Sequence, residues 1–374
     1  MALSIGNCLY LKSSAILARV SEAIRMPALT SFLRVSREAL IVVLITVGLG
    51  ELSLRIYNFV DPLPIFYSDS YNRFRGKPFA SDWSFHLNSR GFKDVEFSPN
   101  KAAGTIRILG IGDSFAFGVV PYEYNYLTLV EQDLKQSGHS VELINMGIPG
   151  IGPREYLSLL VREGFVLEPD RVLVSLFIGN DFEGHTRGLV SYSYAASLIR
   201  YVLARWTKFE GQIIHGDATY DDNGPPFTDD AYLQIELQRS TVFLRDNGVF
   251  AGQLAAALSY ISEMKRLCDE RNIGFTVVLI PDEMQVSTPL QTRVIAESGR
   301  SSRSFDFALP NRLLHERFEE LNIDYIDLTA EFSAHSLDER LYRRNDSHWN
   351  IAGNALAARL IWQYVSSQLG VVAQ

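Results

Sequence analysis

The chain has 374 residues, 35 of them Lys or Arg and 43 Asp or Glu, a formal net charge of −8. That balance excludes a sequence-blind nucleic-acid binder, which needs a basic surface against phosphate. Hydrophobic residues at 47% and charged ones at 21% exclude a disordered chain, and two cysteines, Cys8 and Cys268, exclude a disulfide framework.

Ala39–Gly50 (ALIVVLITVGLG) carries no charge. Alone it is shorter than the roughly 17–25 residues a membrane span needs. It extends to Val60 by admitting Glu51 and Arg55, which sit at i,i+4 and can pair on one helix face. Lys12, Arg19, Arg25, Arg34 and Arg37 precede the run, against Glu22 and Glu38. The positive-inside rule then places residues 1–38 in the cytoplasm and sends the large C-terminal part outward. No small-x-small cleavage site follows, so the expectation is an uncleaved signal anchor over 39–60 in the inner membrane. The competing reading is a buried or interfacial helix of a cytosolic protein. Met26 is an alternative start, since the anchor and its flank are complete without the preceding residues.

Residues 61–100 are rich in aromatics, Pro and Gly without a clear period, and read as an extracytoplasmic linker that ends by packing onto the main domain. From Lys101 the pattern becomes strand–helix alternation. Strands are predicted at Ile106–Ile111, Val141–Asn145, Arg171–Ile178, Phe275–Ile280 and Tyr325–Leu328. Helices are predicted at Tyr122–Gln136, Arg154–Glu163, Gly252–Arg271, Pro310–Leu321 and Ile351–Leu369. Residues 183–247 break the rhythm with an apolar helical piece, Tyr192–Trp206, and an acidic loop, Asp217–Asp230; they read as an insertion able to cap a site. The alternation implies a central parallel sheet with helices on both faces, a three-layer α/β/α arrangement of flavodoxin-like type. Ligands in such sheets bind beyond the carboxyl ends of the strands.

Those ends carry the chemistry-bearing residues. The first strand runs into Gly110-Ile111-Gly112-Asp113-Ser114-Phe115. Phe115 occupies the third glycine position of a dinucleotide loop, and Ala116 breaks the G-x-S-x-G elbow. What remains is a Ser on a glycine-flanked turn, either a nucleophile or a helix N-cap. The second strand ends in Asn145-Met146-Gly147, the third in Gly179-Asn180-Asp181. Just before the last helix comes Asn345-Asp346-Ser347-His348-Trp349-Asn350, where i,i+2 spacing lets Asp346 reach His348.

Taken together, the four blocks resemble the SGNH (GDSL-type) hydrolase superfamily over about Ile106 to Leu369, with the insertion outside the resemblance. The family more often spaces its acid and base as D-x-x-H, whereas here the spacing is D-x-H, and Asn345 stands where that acid would be. The D-x-H-W-N form is similar to that of alginate O-acetyltransferase-like members, which leaves the acceptor open between water and a sugar hydroxyl.

The resemblance implies a serine esterase removing O-acyl, foremost acetyl, groups from a polysaccharide or envelope glycoconjugate. Ser114 is the implied nucleophile, His348 the base and Asp346 its orienting acid, with an oxyanion hole from Ser114, Gly147 and Asn180. Alternatives are an O-acyltransferase with the same triad and a non-catalytic binding protein on the same fold. Asp113 and Asp181 are assigned to turn and cap hydrogen bonds. The route needs no metal and no cofactor. The acidic loop is only faintly like a calcium loop, since Thr219 stands where the first Asp belongs, and it reads as a solvated loop.

Overall fold

The computed structural model describes residues 33–57, 59–60, 75–182, 193–199 and 215–369. The proposed start at Met26, the basic residues Lys12, Arg19 and Arg25, and most of the 192–206 helix lie outside the described residues.

Five strands form the central sheet: β1 (Ile106–Ile111), β2 (Val141–Asn145), β3 (Arg171–Phe177), β4 (Gly274–Ile280) and β5 (Asp324–Asp327). Their order is β2-β1-β3-β4-β5 and every pairing is parallel. Near-continuous apolar runs suit such strands because helices cover both faces. Side chains two apart share a face. Leu109, Ile111, Val172, Val174, Val277 and Leu279 therefore meet one helical layer, while Ile108, Leu173, Val278 and Ile280 meet the other. The first layer holds α4 (Pro153–Leu159), α6 (Gly248–Asp269) and α9 (Leu309–Glu320); the second holds α3 (Tyr126–Gln136) and α11 (Ile351–Gln368). Gly110 lets α3 approach closely, since a Cβ there would lie 2.6 Å from Leu127.

The chain winds from β1 to β2 on one side and passes to β3 on the other. The gap between the carboxyl ends of β1 and β3 is thus the topological switch point.

Several boundaries differ from expectation for local reasons. The predicted 122–136 helix is a 3₁₀ turn, Tyr122–Tyr124, followed by α3, because Asn125 takes an extended conformation and its side chain caps Leu127 N–H. The next helix leaves α geometry after Leu159 for a π turn, Leu160–Gly164. α6 begins four residues early, where Asn247 accepts from the Val249 and Phe250 amides. Four short helices escaped periodicity altogether: α2 (Ser114–Phe117), α7 (Glu283–Val286), α8 (Thr288–Ser298) and α10 (Thr329–His335). The insertion contributes α5 (Asp229–Arg239) and a short helix at 194–199.

The described part of the expected linker is structured. Leu87 and Phe92 are fully buried, and buried Lys93 pairs with Asp82 at 2.5 Å.

α1 (Leu33–Tyr57) is 25 residues long with a mean hydropathy of 2.0, and none of its most apolar stretch is buried. It begins six residues before the expected span. Arg55 donates to Glu51 at 2.9 and 2.7 Å, the i,i+4 pairing foreseen. The same carboxylate accepts from the Tyr194 and Ala195 amides, each at 2.9 Å, and from Ser193 Oγ at 3.0 Å. One side chain thus caps the start of the 194–199 helix and ties the insertion to α1.

Candidate active site

α2 starts directly at the end of β1, with Asp113 as its N-cap accepting from Phe115 N–H at 2.9 Å. Ser114 is therefore the first residue of a four-residue helix whose side chains are all buried. So short a helix needs outside support at its carbonyl end. Asn145 and Asn125 donate to Ala116 O at 2.8 and 3.0 Å, and Lys93 Nζ donates to Gly118 O at 2.8 Å. Three side chains from three segments fix the turn that presents the serine.

The loop carrying Asp346 and His348 is closed like a hairpin. Arg343 N–H donates to His348 O at 2.9 Å and Asn350 N–H to Leu341 O at 3.0 Å, while Asn345 turns the chain at φ +49°. Asn350 then caps α11 through Gly353 N–H. Buried Trp349 packs edge-on against Phe115 with ring centroids 5.0 Å apart, joining the loop to α2. Arg340 donates to Asp222 O at 3.0 Å and to Asn223 Oδ1 at 2.8 Å, so the acidic loop braces this segment.

Ser114, His348 and Asp346 meet. Ser114 Oγ lies 2.8 Å from His348 Nε2, and His348 Nδ1 lies 2.6 Å from Asp346 Oδ1. A carboxylate only accepts, so Nδ1 carries the proton and Nε2 is left to accept from the hydroxyl. His348 N–H also donates to Asp346 Oδ1, at 3.1 Å. Burial by itself raises the Asp346 carboxyl, but the His348 imidazole and the Arg343 guanidinium outweigh it and hold it below the usual range.

The expected oxyanion donors are less uniform. Gly147 packs so tightly on α2 that a Cβ would collide with Phe117 N and Ala116 C, so glycine is required there. Its N–H donates to Asn145 Oδ1 at 2.8 Å and is satisfied internally. Asn180 sits on the turn after β3, and its Oδ1 is buried without a partner among the described residues. An amide oxygen only accepts, so what stands unpartnered here is an acceptor and not the Nδ2–H donor.

Asp181 accepts Tyr156 Oη–H through both oxygens, at 3.1 and 3.0 Å, and Phe177 N–H at 2.8 Å. Burial pushes its carboxyl well up, and Asp113 nearby adds to the effect. Burial likewise raises Asp113, against the pull of Phe115 N–H, His348 and Arg239. Both aspartates have the turn and cap bonds assigned from sequence.

Sequence reasoning missed the groups around the site. Arg343 donates to Asp346 Oδ2 at 3.0 Å from within the same loop. Arg239 of α5 lies over the Phe177 ring, 5.4 Å from its centroid, and pairs with buried Glu236 at 3.1 Å. Asp282, at the end of β4, is so close to the Gly179 turn that a Cβ there would collide with it. An Arg three residues before the acid was visible in the sequence; the placing of Arg239 over the Phe177 ring was not.

Among known proteins, residues 237–373 match the family described as SGNH hydrolase-like domain, acetyltransferase AlgX. The matched stretch contains Asp346 and His348 and begins after Ser114, Gly147 and Asn180. Among solved structures, the chain is similar to the acetyl xylan esterase AlAXEase at 17% identity, covering 70% of this chain and 100% of that one, with TM-score 0.40. A lipase/acylhydrolase from Enterococcus faecalis matches at 16% identity over 70% of this chain and 96% of its own, TM-score 0.37. A two-domain esterase active on acetylated mannans, co-crystallized with mannopentaose, matches at 13% identity over 71% and 50% of the respective chains, TM-score 0.39. No curated protein sequence matches. Residues 237–373 are thus similar to an SGNH hydrolase-like domain.

Proposed function

We propose that the protein is a membrane-anchored serine esterase that removes O-acyl groups, foremost acetyl, from a polysaccharide or envelope glycoconjugate. The observation that carries this reading is the unbroken chain of contacts from Asp346 through His348 to Ser114 Oγ. A hydroxyl is a weak nucleophile at neutral pH unless a base takes its proton as it attacks. In the proposed cycle Ser114 Oγ bonds to the ester carbonyl carbon while its proton passes to His348 Nε2. Asp346 stabilises the resulting imidazolium and keeps the ring in the productive tautomer. The imidazolium then protonates the departing sugar oxygen, leaving an acyl group on Ser114. Water, deprotonated by the same imidazole, releases it as the free acid. The developing oxyanion falls to the Ser114 N–H and the Asn180 amide, with Gly147 N–H joining by exchanging Asn145 Oδ1 for that oxygen.

A second reading has a specific observation behind it. The family matched over 237–373 is described as an acetyltransferase, and the acid and base lie within that stretch. If a sugar hydroxyl instead of water resolves the acyl-enzyme, the same residues make the chain an O-acyltransferase. Purified full-length protein in detergent, given p-nitrophenyl acetate with and without an oligosaccharide acceptor, separates the two. Free acetate dominating under both conditions supports the esterase, and acetylated oligosaccharide dominating supports the transferase. Failure of a fluorophosphonate to label Ser114 in the folded protein overturns both.

The anchor is supported by the length and apolarity of α1. Arg34 and Arg37 lie at its first turns, and the positive-inside rule then sets residues 1–38 in the cytoplasm with 61–100 and the 101–374 domain outside the inner membrane. Labelling of cysteines introduced at exposed positions by a membrane-impermeant reagent, on intact and on opened cells, tests that orientation.

A further inference from the structure

The proposed chemistry uses Asp346 through one oxygen; the other is held by a side chain that the cycle leaves unassigned. Arg343 is 6% exposed and places Nη1 3.0 Å from Asp346 Oδ2. Its backbone N–H bonds His348 O at 2.9 Å across the same turn, so both ends of Arg343 grip the acid–base loop. Its guanidinium also lies over the Tyr220 ring, 5.5 Å from the centroid, which fixes it from the side of the acidic loop. A buried carboxylate between one permanent cation and one titratable ring divides its charge between them. We propose that Arg343 is a positioning residue that acts through Asp346, holding its outer oxygen and limiting how strongly the carboxylate favours a protonated His348.

The alternative role for such an arginine is purely architectural, filling the space under the loop. The two roles differ in what a charge-removing substitution does. With the guanidinium gone, the whole carboxylate charge faces the imidazole, so the ring keeps its proton to higher pH and the free base is scarcer in acid. The other groups facing Asp346 are Tyr220 from the acidic loop, which donates to Asp222, and Glu283 on α7, which in turn feels Arg340. Glu283, raised by burial to about 7, titrates in the same window. The comparison is therefore repeated in an E283Q background, where that group drops out.

This inference rests on Ser114, His348 and Asp346 being the reacting set, and fluorophosphonate labelling of the wild-type serine decides that beforehand. The test is the pH profile of kcat/KM for p-nitrophenyl acetate, from pH 5 to 9, with full-length wild type, R343Q and R343K. R343Q is expected to move the acidic limb upward by about one unit, as removing a charge beside an ion pair does. R343K keeps the charge, and is expected to hold the limb at its wild-type position and recover kcat/KM to within about tenfold of wild type. A pH-independent loss in R343Q, or an R343K as impaired as R343Q, overturns the proposal. Should R343Q fail to fold, R343K decides alone. A limb in place with activity kept supports the inference; a displaced limb, or a larger loss at every pH, defeats it.

Discussion

Two carboxylates, Asp346 at the sheet end and Glu51 on the apolar helix, have nearly the same immediate surroundings. Each is paired with an arginine close in sequence, Arg343 three residues before and Arg55 four after. Each also accepts backbone N–H bonds. They differ in what lies beyond. Asp346 is 4% exposed and accepts from an imidazole that itself reaches a serine hydroxyl. Glu51 accepts from the first amides of a helix, and the chain of bonds goes no further. A carboxylate–arginine pair is thus no signature of chemistry. What separates the proposed acid from a structural cap is whether its partner can gain a proton and give it onward.

The largest effect comes from breaking that onward path. Asp346→Asn keeps the side-chain shape but offers an amide where the imidazole needs an acceptor, so the wrong tautomer is favoured. The expected loss in kcat is on the order of 10⁴, with a circular-dichroism spectrum like wild type. An Asp346→Asn enzyme within tenfold of wild type at every pH shows that the two carboxylates are, after all, equivalent caps.

Asn180→Ala is next. Its Oδ1 has no partner among the described residues, so removing it breaks no hydrogen bond made through that atom. If its Nδ2–H meets the oxyanion, kcat falls by about 10² to 10³ while KM changes little. Unchanged kcat with raised KM makes Asn180 a substrate-binding group instead, and places the oxyanion on backbone donors alone.

The site's legibility follows the same divide. Ser114, Asp346 and His348 were readable because strand-end position and i,i+2 spacing are local facts, and the parallel sheet brings its carboxyl ends together. The strands themselves stood out as short apolar runs. The supports were hidden because they are long-range. Lys93 reaches Gly118 across 25 positions, and Tyr232 of α5 reaches Glu283 across 51, with no periodicity to announce either. The Gly147 amide shows the converse: its location was legible, but its engagement by Asn145 depends on a side-chain rotamer that sequence does not encode. Glu51 combines both cases. Its pairing with Arg55 followed from helical spacing, while its cap on residues 143 and 144 positions away did not.

The smallest expected effect sharpens the comparison from the other side. Glu51→Ala removes the acceptor for the Tyr194 and Ala195 amides without touching any residue that contacts Ser114. An N-terminal cap is worth about 1 kcal/mol, so exchange of those two amides should quicken by roughly fivefold in hydrogen–deuterium measurements. The rate of Ser114 phosphonylation should stay at the wild-type value. Glu51 is 21% exposed, and water can replace part of what it gives, which keeps the local cost modest. Slowed phosphonylation in this variant means that the insertion transmits the state of the apolar helix to the serine. The Glu51 carboxylate would then belong to the working set.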